Sequence, residues 1–138
     1  MKDGSAFLDS NVLMYLYSTL EKEKRYKSIA LFMQYTCITS TQAMNEFCNV
    51  CLYKYKIHHD RIAKDVDGIE STCKVEKIDT RVINDALRIN ARYQYSYYDS
   101  LMIASALASN CVYLFSEDMQ HQQIIDNRLA IINPYNPQ

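Results

Sequence analysis

The sequence predicts an α/β fold: a three-layer α/β/α domain built round a mainly parallel central sheet. Three observations predict it. Short apolar runs alternate with longer segments of helical period along the chain. The runs mostly lack the polar alternation of a half-exposed sheet, so both sheet faces are expected to be covered. The connections are short, with no Pro/Gly/Ser-rich linker before Asn133-Pro134-Tyr135-Asn136-Pro137.

Taken in order, Ala6-Phe7-Leu8 reads as the first strand, followed by helical segments over 11–19 and 22–34. The second of these sets Ile29, Ala30, Phe32 and Met33 on one side. Cys37-Ile38 is the next strand, and Thr39-Ser40-Thr41-Gln42 offers T-x-x-Q capping chemistry for a helix running to about Lys56. A polar, charged helix spans 59–73, with Gly68 its weak point. Val75-Glu76-Lys77-Ile78 forms a strand. Asp79 or Thr80 then caps a helix to about Tyr93, whose Val82, Ile83, Ala86, Leu87 and Ile89 follow the 3.6 period. Residues 101–108 are almost wholly apolar and predict a helix buried on every side. Val112 to Phe115 and Leu129 to Ile132 supply the last two strands.

Composition narrows the function. At 138 residues the chain amounts to about one domain, 1–138. Fifteen Lys and Arg against sixteen Asp and Glu leave a net charge of −1, which rules out a globally basic nucleic-acid coat. Two glycines, Gly4 and Gly68, cannot build a P-loop or a GxGxxG fingerprint. Five cysteines are an odd and sparse set, pointing to a reducing compartment. Met1-Lys2-Asp3-Gly4-Ser5 lacks an apolar leader, so a cytoplasmic, non-membrane protein is expected.

In doubly wound sheets ligands bind beyond the carboxyl ends of the strands. Asp9 directly follows the first strand, and Asp118 follows Val112 to Phe115 after Ser116-Glu117. Asp99 opens the apolar helix, while Glu46 sits between Met44 and Phe47 on a segment that otherwise looks core-facing. Each element is able to deliver its acid to one mouth. Two carboxylates ~4 Å apart repel by roughly 4 kcal/mol at an effective dielectric of ~20. Several converging acids therefore raise one another's pKa values or take up a cation. Oxygen-only ligation suits Mg²⁺ or Mn²⁺ rather than zinc. Asn11 and Ser116, each two residues from an acid, are placed to hydrogen-bond those carboxylates. A plainer role also fits Asp9 and Asp99, since an Asp at a strand end is most often a turn or helix cap.

The blocks that carry these acids are Phe7-Leu8-Asp9-Ser10-Asn11-Val12-Leu13-Met14-Tyr15, Met44-Asn45-Glu46-Phe47, Tyr98-Asp99-Ser100-Leu101-Met102-Ile103-Ala104-Ser105-Ala106, Leu114-Phe115-Ser116-Glu117-Asp118-Met119-Gln120 and Ile131-Ile132-Asn133-Pro134-Tyr135. In this order they resemble PIN-domain proteins, above all the VapC-type toxins of toxin–antitoxin pairs. The resemblance implies a Mg²⁺- or Mn²⁺-dependent endoribonuclease that hydrolyses RNA phosphodiesters with metal-activated water. It places Asp9, Glu46, Asp99 and Asp118 on the family's acidic quartet. Asp9, Asp99 and Asp118 are then expected to hold metal, with Glu46 helping to bind it or orienting water. It implies an RNA substrate, a cognate antitoxin and a homodimer. The alternative is a catalytically inactive PIN fold that sequesters a protein or RNA partner. Two glycines usual in the family, one after the last acid and one near Asn127, are missing here.

Other features have competing readings. Cys48-Asn49-Val50-Cys51 lies inside a predicted helix with no second Cys pair, which favours packing over redox or zinc chemistry. His58 and His59, with Lys54, Lys56, Arg61 and Lys64, form a basic cluster that suits either RNA backbone or plain solvent. Tyr93, Tyr95, Tyr97 and Tyr98 crowd the approach to Asp99, where they either stack on bases or pack the rim. His121, three residues past Asp118, is a weak candidate for phosphate contact.

Overall fold

The computed structural model describes residues 2–136. Strands are β1 (Ser5–Leu8), β2 (Thr36–Ser40), β3 (Lys74–Glu76), β4 (Tyr113–Phe115), β5 (Ile124–Ile125) and β6 (Leu129–Ile132). Helices are α1 (Ser10–Leu16), α2 (Lys22–Gln34), α3 (Thr41–Tyr53), α4 (His59–Thr72), α5 (Thr80–Tyr93) and α6 (Tyr97–Ala108). The sheet order is β3-β2-β1-β4-β6-β5, parallel except for β5, which runs antiparallel to β6. The α/β class and the mainly parallel sheet match the expectation.

Ala6, Phe7 and Leu8 are all fully buried. Side chains alternate faces along a strand, so both faces of β1 are covered by helices. The chain winds from β1 to β2 to β3 on one side, then crosses back to place β4 against the other edge of β1. The crevice between β1 and β4 is thus the topological switch point. The register Leu8↔Phe115 makes those two strands end side by side. Among the described residues no helix is long and apolar enough to cross a membrane.

Local chemistry explains most boundaries. Ser40, rather than Thr39, caps α3 by accepting from the Ala43 N–H, while the Thr39 hydroxyl turns back to the Leu8 carbonyl. Asp79 caps α5 through the N–H groups of Arg81 and Val82. The apolar helix α6 starts at Tyr97, earlier than the apolar run suggests, because the Ser96 hydroxyl accepts from the Asp99 N–H. Its residues 100–107 are all buried, as the composition requires. A Cβ on Gly68 would meet the Tyr17 hydroxyl at 2.7 Å, so this glycine lets α4 approach the end of α1.

β5 was not expected. It holds only two residues and pairs with β6 across a three-residue connection, 126–128, in which Asp126 and Asn127 both have positive φ, 51° and 55°. The Arg128 N–H closes the turn on the Ile125 carbonyl at 3.0 Å. The tight connection is made by two left-handed residues, Asp and Asn, which tolerate that region best after glycine.

Candidate functional site

Asp9 leaves the carboxyl end of β1 and caps α1: its Oδ1 accepts from the Ser10 N–H at 2.7 Å. The other oxygen, Oδ2, accepts from the Ser116 hydroxyl at 2.7 Å, just beyond β4. Asp9 is therefore a helix cap whose second oxygen is turned to the segment after β4. The side chain is buried, and burial pushes its pKa up to about 6. The bonds from Ser116 and Ser10 pull it down, while the negative charges of Glu46 and Asp99 push it further up.

Glu46, from α3, points toward the same crevice. Its carboxylate accepts from the Ser10 hydroxyl at 3.3 Å and from the Gln42 amide at 3.2 Å. Burial raises its pKa first and the charge of Asp99 adds to this. Asp99, in the first turn of α6, is raised by burial and then by Asp118. Asp118 is the exposed member; its Oδ2 accepts from the Asn11 amide at 2.9 Å, and its N–H donates to the Ser116 hydroxyl at 3.2 Å. The Asn11 amide also lies 3.5 Å from Asp9 Oδ2. Four acids from β1, α3, α6 and the segment after β4 thus feel one another at the switch point.

The sequence reading missed Ser10, Gln42 and Ser96. Ser96 had a signal, since Ser-x-x-Asp is a capping pattern. Gln42 had one too, since it stands four residues before Glu46 on one helix; Ser10 had none, because nothing in a sequence marks a hydroxyl that reaches an acid 36 residues away.

The donor chemistry fits a hard divalent ion: carboxylate oxygens held by amides and hydroxyls, with no thiol or imidazole among them. The acids are spread across the crevice rather than closed on one point. Among the described residues the only trio of metal-capable side chains with donor atoms all within 4.8 Å is His58, His59 and Asp60, fully on the surface at the start of α4. Its two rings stack 4.3 Å apart, and His58 Nδ1 is engaged as the cap of α4, accepting from the Asp60 N–H. Asp118, by contrast, is drawn to Asn11 and Asp9 to Ser116.

Matches to known proteins bear on this geometry. The PIN domain model matches residues 6–126, most of the chain and all four acids. The chain belongs to the PIN domain family. No curated protein sequence matches it. Its fold is similar to that of a toxin–antitoxin complex from Klebsiella pneumoniae (TM-score 0.69, 19% identity, 94% of this chain and 98% of that one). It is similar to VapBC2 of Rickettsia felis bound to a fragment of promoter DNA (TM-score 0.67, 15% identity, 94% and 99%). It is also similar to VapC20 of Mycobacterium tuberculosis, a toxin that cleaves the sarcin-ricin loop (TM-score 0.66, 16% identity, 82% and 91%).

Within this PIN domain the side candidates resolve into structure. His121 Nδ1 accepts from the Asn133 N–H at 2.9 Å and ties the loop after β4 to the end of β6. Tyr95 binds Gln120 and Gln123 and braces that loop, while Tyr93 grips Asp126 in the connection between β5 and β6. Tyr97 packs on the small cluster of Val82, Ala86, Leu101 and Ala104, which leaves Tyr98 as the exposed ring beside Asp99. Cys48 and Cys51 are free thiols in α3, the latter buried against Met14. Arg61 of the basic cluster turns to the Tyr17 carbonyl and Asp65.

A cleft of about 310 Å³ opens between α1, α3 and α4. Met14, Tyr17, Phe47, Cys51 and Ile57 give it an apolar wall, and Arg61 and Asp65 stand at its side.

Proposed function

We propose that this PIN domain is a metal-dependent endoribonuclease, the toxin of a toxin–antitoxin pair. The observation that carries this reading is the convergence of Asp9, Glu46, Asp99 and Asp118 on the β1/β4 switch point, with Asp9 buried among like charges. Such a site is costly in isolation and becomes favourable with a cation. Asp9, Asp99 and Asp118 would hold Mg²⁺ or Mn²⁺, which when bound neutralises charge on a phosphoryl oxygen and lowers the pKa of water.

The chain's own residues do the rest. Glu46, held by Ser10 and Gln42, is placed to accept a proton from the attacking water. Ser116 and Asn11 fix the carboxylates of Asp9 and Asp118, so little reorganisation is left for the reaction itself. Exposed Tyr98 offers a face for an unpaired base beside Asp99. In-line hydrolysis leaves a 5′-phosphate and a 3′-hydroxyl, as the family resemblance implies. The apolar cleft between α1, α3 and α4 suits an amphipathic segment of a cognate antitoxin, and the resemblance implies a homodimer.

The test is cleavage of RNA by the purified chain. Activity is expected with Mg²⁺ or Mn²⁺, lost with EDTA, and reduced at least a hundredfold by Asp9→Asn or Asp99→Asn with circular dichroism unchanged. Activity that persists in EDTA sinks the metal role. Tight binding of a partner with no cleavage and no Mn²⁺ uptake would make the fold a sequestering module instead.

A further inference from the structure

A fifth acid, Glu117, precedes Asp118 and is turned away from the four. Its Oε2 lies 2.5 Å from the Lys24 ammonium of α2, and its Oε1 accepts from the Tyr15 hydroxyl of α1 at 2.6 Å. Lys24 also donates to the Tyr15 hydroxyl at 3.3 Å and sits over the Tyr15 and Tyr135 rings, 4.7 and 5.6 Å from their centroids. Tyr135 packs edge-on against Tyr15, and its hydroxyl shares a buried 2.6 Å bond with Ser28 of α2. The Lys24–Glu117 pair is thus backed by rings and partly withdrawn from water, unlike an open surface pair.

We propose that Lys24, Tyr15 and Glu117 form a positioning clamp that sets Asp118 for metal binding, a role that rests on the nuclease reading above. Asn11 and Tyr15 are one helical turn apart and lie on one face of α1. Asn11 binds Asp118 through its amide and accepts from the Glu117 N–H through its carbonyl oxygen at 3.3 Å. Tyr15 takes the Glu117 side chain. Two consecutive residues are therefore held by consecutive turns of one helix, and Lys24 ties that grip to α2. The most exposed of the four acids gains a fixed backbone this way. Glu117, neutralised by Lys24, is kept from competing with Asp118 for the cation. None of the three clamp residues touches the reacting groups.

The test compares Mn²⁺ affinity by calorimetry, melting temperature and RNA cleavage in the full chain. Lys24→Met is expected to weaken Mn²⁺ about tenfold, the low end of what a lost ligand-orienting partner costs. Tyr15→Phe is expected to weaken it a few-fold, and Lys24→Arg to stay near the parent. A purely structural contact would instead lower the melting temperature and leave the Mn²⁺ affinity of the folded protein alone. If Lys24→Met does not fold, Tyr15→Phe against the parent decides in the same way. Asp118→Asn is the reference: if it weakens Mn²⁺ while Lys24→Met and Tyr15→Phe leave affinity and cleavage at the parent level, the clamp is overturned. If Asp118→Asn itself leaves Mn²⁺ affinity unchanged, the four-acid reading falls, and the clamp with it.

Discussion

Asp9 meets two opposed demands with one side chain. As the cap of α1 it satisfies the Ser10 N–H, a role that Asn fills equally well. As a buried carboxylate near Glu46 and Asp99 it is held at a pKa of about 6 against an ordinary value of 3.8. Between those values the folded protein keeps a proton that the unfolded chain releases. Stability without divalent ion must therefore fall as pH rises from about 4 to 6 and stay lowered above it, by roughly 3 kcal/mol at most. Glu46 and Asp99 are shifted in the same direction and steepen the slope. Asp9→Asn keeps the cap and removes the charge, so it is expected to flatten this slope and raise the melting temperature at pH 7.5 in EDTA. A variant that melts below the parent at pH 7.5 would show that lost hydrogen bonds outweigh the relieved charge. On the proposed function the same substitution is expected to cut cleavage at least a hundredfold, which would set stability and activity against each other at one residue.

The loop and hairpin that follow β4 carry strain of a kind the sequence shows only by its missing glycines. Gln122 has φ 71° and Asn127 φ 55°, so the left-handed turns are made without glycine. Asn and Asp tolerate that region, whereas Gln lacks their local hydrogen bonding and bears a cost of about 1–2 kcal/mol. Gln122→Gly relieves this strain and adds unfolded-chain entropy of about 0.5–1 kcal/mol. The net expectation is a gain of roughly 0.5–1 kcal/mol, read as a higher urea midpoint at unchanged m-value. A lower midpoint would mean that the Gln122 side chain does work the backbone angle hides. Elements with a strong period, such as α5, and the fully apolar α6 core were legible from residues alone. The start of α6 was not, because Tyr97 and Tyr98 break the apolar run and the signal there is the Ser96 cap. β5 was invisible for a different reason: two residues carry no period, and only pairing with β6 makes them a strand. The acids at strand ends were legible because the position of Asp9 and Asp118 follows from parallel β1 and β4. Glu46 was less so: its Gln42 contact is an i,i+4 pair within α3, but its Ser10 contact depends on how α1 and α3 pack, which no local pattern encodes.

Across the whole molecule the switch between β1 and β4 concentrates negative charge that the rest of the fold leaves unbalanced. Lys24, beside the last acid's neighbour, is already committed to Glu117, and the chain's −1 net charge supplies no general positive field. A divalent ion bound there should therefore stabilise the fold as a ligand that prefers the folded state. At a hundred times its Kd the gain is about 2.7 kcal/mol, a rise of several degrees in melting temperature for a chain of this size. The rise should follow the logarithm of Mn²⁺ concentration, reverse with EDTA and disappear in an Asp9→Asn/Asp99→Asn double variant, while His58→Ala/His59→Ala leaves it intact. The last comparison separates the switch-point crevice from the exposed His58-His59-Asp60 trio, the one such trio among the described residues whose donor atoms already stand close together. Stabilisation that survives loss of the two aspartates but not of the two histidines would move the ion to the head of α4, outside the β1/β4 switch point, and would leave the crevice as a charged hollow with no metal to justify it.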